Sequence, residues 1–400
     1  MTLTYDDDID GSRAAWGAVF SMTLCVFVLI ASEFMPVSLL TPIAADLGVS
    51  EGHTGQAISI SGLSAVVTSL FIATLTRRLD RRVVVLGLTM LLMVSGLAVT
   101  FAPSYPILML GRALLGISIG GFWSMSTAIV MRLVSLDQVP KALALLNAGN
   151  AIAATVSAPL GSLLGAYIGW RGAFFLVVPV GLLALVWQWI SLPALPPRSR
   201  QMSMNVFRLL GRLPVATGMA AILLLFMGQF ALFTYVRPFL EQVTHVGIGA
   251  LSFVLLVMGL AGAVGTWFIG RLLEHRLFSI LIAIPFLMAC LALSMVALGD
   301  MALGDMEAPV FSALVGWGFL GTAAPVGWGT WLSRVLPDEA EAGGGLQVAV
   351  IQLAITAGAS VGGLLFDALG WWSTFMLSAV LLCGSSLAAF AAWRVTGRPS

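Results

Sequence analysis

Apolar runs of about 20 residues recur along the whole chain, and this feature most limits its possible folds. An α-helix of that length crosses the roughly 30 Å hydrocarbon core of a bilayer. Of the 400 residues, 59% are hydrophobic and 9% are charged, against about 25% charged in a typical soluble domain. The sequence therefore predicts an all-α polytopic membrane protein. The twelve predicted spans are 15–40, 54–75, 83–102, 106–131, 141–167, 171–191, 214–236, 248–270, 277–299, 309–332, 344–366 and 371–393.

The distribution of basic residues predicts the orientation of these spans. Cytoplasmic loops of membrane proteins carry an excess of lysine and arginine. With the N-terminus inside, 16 of the 19 basic residues fall in cytoplasmic loops and tails, and only Arg171 and Arg237 fall outside. We therefore expect both termini to be cytoplasmic. The acidic N-terminal tail lacks the basic region of a cleaved signal peptide, so the first span should be retained.

A long break between the sixth and seventh spans divides the chain into two halves. It contains four arginines, three prolines and no acid. The halves echo each other, since Glu33-Phe34 recurs as Gln229-Phe230 at an offset of 196, and IGWRGAFF (168–175) recurs as LGWWSTFM (369–376) at an offset of 201. The predicted organisation is a cytoplasmic tail at 1–13, a six-helix bundle at 14–191, a central cytoplasmic loop at 192–212, a second six-helix bundle at 213–394 and a tail at 395–400.

Glu33 and Arg112 are the two charged residues that fall well inside predicted spans. An ionisable group there costs roughly 2.5 to 3.5 kcal/mol, so it indicates a functional site by default. At 1.5 Å per residue, they lie about 10 and 9 Å from the same membrane face. We expect Glu33 to carry a proton and Arg112 to neutralise it when it is unprotonated. The alternative is a static buried salt bridge, which indicates little about function.

Aromatic and amide side chains recur in the spans that should face the boundary between the halves. The seventh span places four of them at i, i+3, i+4 and i+7, on one helix face. Such a stripe is more often packing than a binding site, but aromatics with amides suit a planar heterocycle, because rings stack and Gln or Asn pairs with its edge. The predicted substrate contacts are Phe34, Trp123, Asn147, Asn150, Phe226, Gln229, Phe230, Phe233, Trp317, Trp328, Gln347 and Gln352.

Several other functions lack support in the sequence. The net charge of +1, without a basic patch, disfavours nucleic acid. The GxGxxG at 316–321 lies in a span with no preceding strand, which disfavours a dinucleotide site. The three histidines fall in separate loops, and no catalytic constellation is visible, so we expect no metal, no cofactor and no enzyme activity. The expected partners are a small molecule and membrane lipid, with the chain acting as a monomer.

From about Trp16 to Trp393 the chain resembles bacterial drug:proton antiporters of the major facilitator superfamily, and within them the sugar and nucleoside efflux branch with its purine ribonucleoside efflux pumps. The similar blocks include EFMPVSLLTPIAADLGVSEG (33–52), GGFWSMS (120–126), FTYVRP (233–238), PVGWGTW (325–331) and QVAVIQLA (347–354). This resemblance implies proton-coupled efflux of purine ribonucleosides such as inosine and guanosine, and of purine analogues, across the bacterial inner membrane. The alternative is a broad-specificity drug or sugar efflux antiporter of the same superfamily, and a nutrient importer is a further rival.

The resemblance also assigns two motifs. The loop between the second and third spans carries an acid and arginines as the superfamily's inner-gate latch does, although a topology-setting charge cluster is the simpler reading. Its residues are Arg77, Arg78, Asp80, Arg81 and Arg82. The fifth span loosely resembles the antiporters' Gly-Pro-x-x-Gly signature, here represented by Gly149, Pro159 and Gly161. That match favours efflux, whereas a proline kink tolerated by neighbouring helices is the alternative.

Overall fold

The computed structural model describes residues 11–135, 138–197, 206–300, 307–336 and 339–396, and all regular secondary structure within them is helical. Parts of the predicted tails (1–10 and 397–400) and of the predicted central loop (198–205) lie outside the described residues. The helices are α1 (Gly11–Leu47), α2 (Glu51–Leu75), α3 (Arg81–Thr100), α4 (Tyr105–Leu133), α5 (Val139–Phe175), α6 (Val177–Ser191), α7 (Leu213–Phe233), α8 (Val236–Gln242), α9 (Ile248–Asp300), α10 (Glu307–Gly321), α11 (Ala324–Val335), α12 (Ala340–Leu369) and α13 (Trp371–Thr396).

Twelve crossings of a membrane account for these helices. In the described residues, 11 segments are long and apolar enough to span a bilayer. One of them, Lys141–Ser191, has 51 residues, more than twice the length of one crossing, and it bends at Gly169, where φ is 76°. It therefore crosses twice. The predicted fold class, an all-α membrane protein with twelve crossings in two halves, is confirmed.

The helix ends define two sides of the molecule. We call the side that holds Gly48 and Gly370 the distal side, and the side that holds Thr76 and Leu195 the proximal side. The chain starts α1 on the proximal side, and each crossing reverses direction.

Buried side chains form two main hydrophobic clusters. One runs from Ala18 to Leu195, and the other is built mainly from residues between Leu209 and Ala389. Phe34 packs against both clusters. Each half thus has its own core, and α1 lies where the two cores meet.

The second sequence echo corresponds to a shared glycine turn. Gly169 (φ 76°, ψ 163°) joins the fifth and sixth crossings, and Gly370 (φ 91°, ψ 179°) joins the last two. Backbone in this region is essentially limited to glycine. Equivalent positions of the two halves therefore make the same sharp distal turn.

Candidate functional site

Two prolines inside α1 open its hydrogen-bond ladder, one next to Glu33 and one more than a turn further along. A proline at position i cannot donate to the carbonyl at i−4, so Pro36 frees the Ser32 carbonyl and Pro42 frees the Ser38 carbonyl. An arginine from another helix contacts each of these oxygens. Arg112 of α4 donates from Nη1 to the Ser32 oxygen at 2.6 Å, and Arg237 of α8 donates from Nη1 to the Ser38 oxygen.

The buried Arg112 is a junction between α1, α2 and α4. Besides Ser32, its guanidinium donates to the Ala57 carbonyl at 3.0 Å, to the Glu33 carbonyl at 3.0 Å and to Ser61 Oγ at 3.3 Å. Arg112 thus meets Glu33 through the main chain, and the described residues form no Glu33–Arg112 side-chain ion pair. The Arg112 N–H groups are taken up instead by the Ser32 carbonyl, which lacks a helical donor because of Pro36, and by the Glu33 and Ala57 carbonyls and Ser61 Oγ.

The Glu33 carboxyl bonds to the other half of the molecule instead. Its side chain is buried, with the residue 2% exposed, and Oε1 accepts a hydrogen bond from Gln352 Nε2 at 3.4 Å. Gln352 belongs to α12, so this bond joins the first crossing to the eleventh. The predicted proton site therefore lies at the contact between the halves.

The neighbouring phenylalanines of the sequence repeat also meet across this contact. Phe34 and Phe230 stack with ring centroids 5.7 Å apart and an interplanar angle of 25°. They occupy equivalent positions in the sequence repeat, so the two halves contact each other here through matching residues. Glu33 and Gln229 each precede one of these rings.

Three buried polar atoms among the predicted substrate contacts have no hydrogen-bond partner in the described residues: Gln229 Oε1, Gln352 Oε1 and Trp317 Nε1. Buried polar groups are nearly always partnered, so such atoms call for an explanation. The two amide oxygens belong to Gln229, which precedes Phe230, and to Gln352, which bonds to Glu33 next to Phe34, so they are suitable acceptors for a polar heterocycle near the stacked rings.

The other predicted substrate contacts differ in how far their side chains are exposed to solvent. Asn147 is exposed and donates to the Leu143 carbonyl of its own helix at 2.9 Å, while Asn150, Phe233 and Trp123 are partly buried. Phe226 and Gln347 are 6% and 8% exposed. Trp328 is 1% exposed and packs edge-on against Trp331 at 5.4 Å, inside the C-terminal cluster.

A row of hydrogen bonds continues from Glu33 toward the distal side. We call it the polar seam, and it joins α2 to α12. Its members are Ser50, just before α2, with Gly52, Gln56 and Ser59 of α2 and Thr356, Ser360 and Asp367 of α12. Gln56 and Ser360 exchange two bonds, at 3.2 and 2.9 Å, as do Ser59 and Thr356, at 3.2 and 3.4 Å. This seam was not predicted from the sequence, although a signal for it is present: Gln352, Thr356, Ser360 and Asp367 share one helical face at spacings of four, four and seven.

The seam ends in a carboxylate clasp on the distal side. Asp367 accepts from Ser50 Oγ at 2.5 Å and from the Gly52 amide at 3.1 Å, and His53 Nδ1 lies 3.5 Å away. A side chain at Gly52 would collide with Asp367 and with the Gly363 carbonyl, so the close approach of α2 and α12 requires glycine there. The two halves are thus closed against each other on the distal side.

The predicted gating loop forms hydrogen bonds with its own residues and with the first residues of the predicted central loop. Asp80 caps α3 by accepting from the Arg82 amide at 2.8 Å, and it also accepts from the Leu195 amide at 2.9 Å. Arg81 donates to Thr76 Oγ1 at 2.7 Å, whereas Arg77 and Arg78 are exposed. The partner of this loop is therefore the start of the predicted central loop.

The fifth-span motif packs α5 against α1. Gly149 faces Thr23, Gly161 faces Ser38 and Met35, and Pro159 is buried between them. The next residue, Ser162, accepts from Ser252 Oγ of α9 at 2.8 Å. The motif thus lies where one helix contacts both halves.

The family described as Major Facilitator Superfamily matches residues 22–346 of this chain. A relative in Salmonella enteritidis, the purine ribonucleoside efflux pump NepI, is 43% identical over 96% of each chain. A relative in Pseudomonas aeruginosa, the transcription regulatory protein OpdE, is 54% identical over 92% of this chain and 91% of its own. A crystal structure of a bacterial homologue of the human lysosomal transporter Spinster, in an inward-facing and unoccupied conformation, superposes with a TM-score of 0.79 at 16% identity and covers 97% of this chain and 99% of that one.

Proposed function

Because this chain belongs to the major facilitator superfamily, we propose that it is a proton-driven exporter of purine ribonucleosides such as inosine and guanosine, and of purine analogues. It works by alternating access in the bacterial inner membrane, with the proximal side cytoplasmic and the distal side periplasmic. Transporter folds of this kind bind substrate near the midplane and rock one half against the other. One chain supplies both walls of the site.

The observation that carries this proposal is the position of Glu33. A carboxyl that is 2% exposed at the contact between two moving halves changes its surroundings in every cycle. Intramembrane acids mark proton pathways. Protons are the coupling ion, and no other cofactor is required.

The substrate assignment is supported by the lining of the same region. The aromatic pair Phe34 and Phe230 offers flat faces, and the unpartnered amide oxygens of Gln229 and Gln352 offer acceptors. A purine base has a stackable face and an edge of donors and acceptors. The relative named as a purine ribonucleoside efflux pump is similar along almost the whole chain.

Proton exchange gives this export a useful driving force. Exchanging one proton for a neutral nucleoside moves one charge, which is worth about 2.3 kcal/mol at 100 mV. Since about 1.4 kcal/mol corresponds to a tenfold concentration ratio, the potential alone sustains roughly a forty-fold gradient.

Everted membrane vesicles with an acidic lumen test the proposal. They should accumulate labelled inosine, and unlabelled guanosine should compete, whereas a sugar and a lipophilic cation should not. Accumulation of the cation or the sugar with indifference to inosine would show the alternative, a broad-specificity drug or sugar exporter.

The name of the 54% identical relative favours a second candidate, a regulator of transcription. Such a regulator should keep its effect on gene expression when uphill export is abolished by Glu33→Gln. Loss of the gene-expression effect together with transport would show that the effect follows from export.

A further inference from the structure

Gln352 lies where the proton site and the substrate site meet. Its Nε2 donates to Glu33 at 3.4 Å, its Oε1 is buried without a partner, and the residue is 8% exposed. Its main-chain oxygen accepts from Thr356 Oγ1 at 2.8 Å, which fixes it at the inner end of the polar seam. The Gln352 amide thus has a donor, Nε2, that is already hydrogen-bonded and an acceptor, Oε1, that is available to a ligand.

We propose that Gln352 is the positioning residue through which a proton and a substrate exclude each other, an inference that rests on the proposed export of purine nucleosides. Exclusion of this kind is what antiport requires, because a carrier that binds both ligands together moves them in the same direction.

The chemistry of the acid–amide pair produces the exclusion. A protonated Glu33 has an O–H that can donate to Gln352 Oε1 while its other oxygen accepts from Nε2, so both amide atoms are occupied. An ionised Glu33 has no hydrogen to donate and leaves Oε1 open. Gln352 Oε1 is therefore hydrogen-bonded when Glu33 is protonated and unpartnered when Glu33 is ionised.

A purine base with an N–H beside a carbonyl requires the same two amide atoms. Gln352 Oε1 would accept from the ring N–H, and Nε2 would donate to the carbonyl, as amides do in base recognition. When such a base displaces the acid, the O–H bond of Glu33 breaks, and the proton passes to water on the proximal side. No other covalent bond changes. Hypoxanthine and guanine have such an edge.

The charged groups around Glu33 do not replace Gln352 in this role. Of the helices packed against α1, α4 contributes Arg112, which donates to main-chain oxygens and to Ser61 Oγ. Helix α8 contributes Arg237 and Glu241, which lie at Ser38, more than one turn away. Lys141 of α5 lies over Trp16, near the opposite end of α1.

Proton release on substrate binding is the direct test. Purified protein in weakly buffered detergent solution is mixed with inosine, and a pH indicator counts the protons released. The parent should release up to one proton per inosine, and its affinity should rise with pH. Gln352→Met should bind inosine with a pH-independent affinity and no proton release. Ser360→Ala, which removes a seam bond two turns away, should release protons as the parent does.

A second pair of variants tests the pairing itself, and it applies even if Gln352→Met does not fold. Glu33→Gln and Glu33→Ala are both neutral, but only the glutamine can donate to Gln352 Oε1 and compete with substrate. Glu33→Gln should therefore bind inosine roughly three- to tenfold more weakly than Glu33→Ala at every pH, the effect of one hydrogen bond.

The outcomes separate this inference from the proposed function. Equal affinities of Glu33→Gln and Glu33→Ala, or parental proton release from Gln352→Met, would overturn the role of Gln352 while nucleoside export stands. A parent protein that binds no inosine would overturn both.

Discussion

Removing the clasp at the distal end of the polar seam should open that side of the molecule. Asp367→Ala deletes the acceptor of Ser50 Oγ and of the Gly52 amide. Each of these hydrogen bonds to Asp367 should stabilise the closed state by roughly 1 kcal/mol, a low value for a bond to a carboxylate, because the Asp367 side chain is 30% exposed to solvent. The loss of about 2 kcal/mol should shift the ratio of distal-closed to distal-open molecules by about thirtyfold.

Spin labels on distal loops of the two halves measure this shift. Ser104→Cys and Gly247→Cys in a cysteine-free background provide the labelling sites, since both positions are exposed. Asp367→Ala should add or enlarge a long-distance population. Asp46→Ala is the matched control, since Asp46 binds Arg171 at 2.5 Å on the same side but within one half. An unchanged distance distribution in Asp367→Ala, or an equal shift in Asp46→Ala, would refute the role of the clasp.

Two further predictions concern α1. Arg237→Met should lower the free energy of unfolding by about 1 to 3 kcal/mol, because the Ser38 carbonyl loses its partner, and adding Pro42→Ala should recover part of this by restoring the helical N–H. Thermal unfolding in detergent measures both changes, and no recovery would contradict the proline explanation. A double-mutant cycle of Phe34→Ala and Phe230→Ala should give a coupling energy of about 0.5 to 1.5 kcal/mol in the same assay, and additive effects would argue against a stabilising stack.

The number of crossings was predictable from the sequence because a bilayer requires long apolar runs wherever the chain crosses it. The repeat was also visible, and the contact of Phe34 with Phe230 gives it a structural meaning. The hydrogen bonds that Arg112 donates to main-chain oxygens were not part of the sequence prediction. The signal was available in Pro36, since a proline four residues after Ser32 leaves a carbonyl that needs a donor. Opposite charge alone suggested the Glu33 carboxylate as the partner of Arg112.

The polar seam depends on information that local patterns lack. The four polar residues on one face of α12 are visible in the sequence, but their partners on α2 follow from how the two halves dock. The same docking brings the Glu33 carboxyl to Gln352. Trp328, by contrast, packs inside the C-terminal core through contacts within its own half.

The central claim is that the proton bound by Glu33 drives export, and uptake into liposomes with purified protein tests it most directly. With an acidic interior, the parent should concentrate inosine against its gradient. Glu33→Gln should still bind inosine and exchange it across the membrane, but it should not concentrate it at any pH difference. Uphill uptake by Glu33→Gln at the parental level would contradict the account.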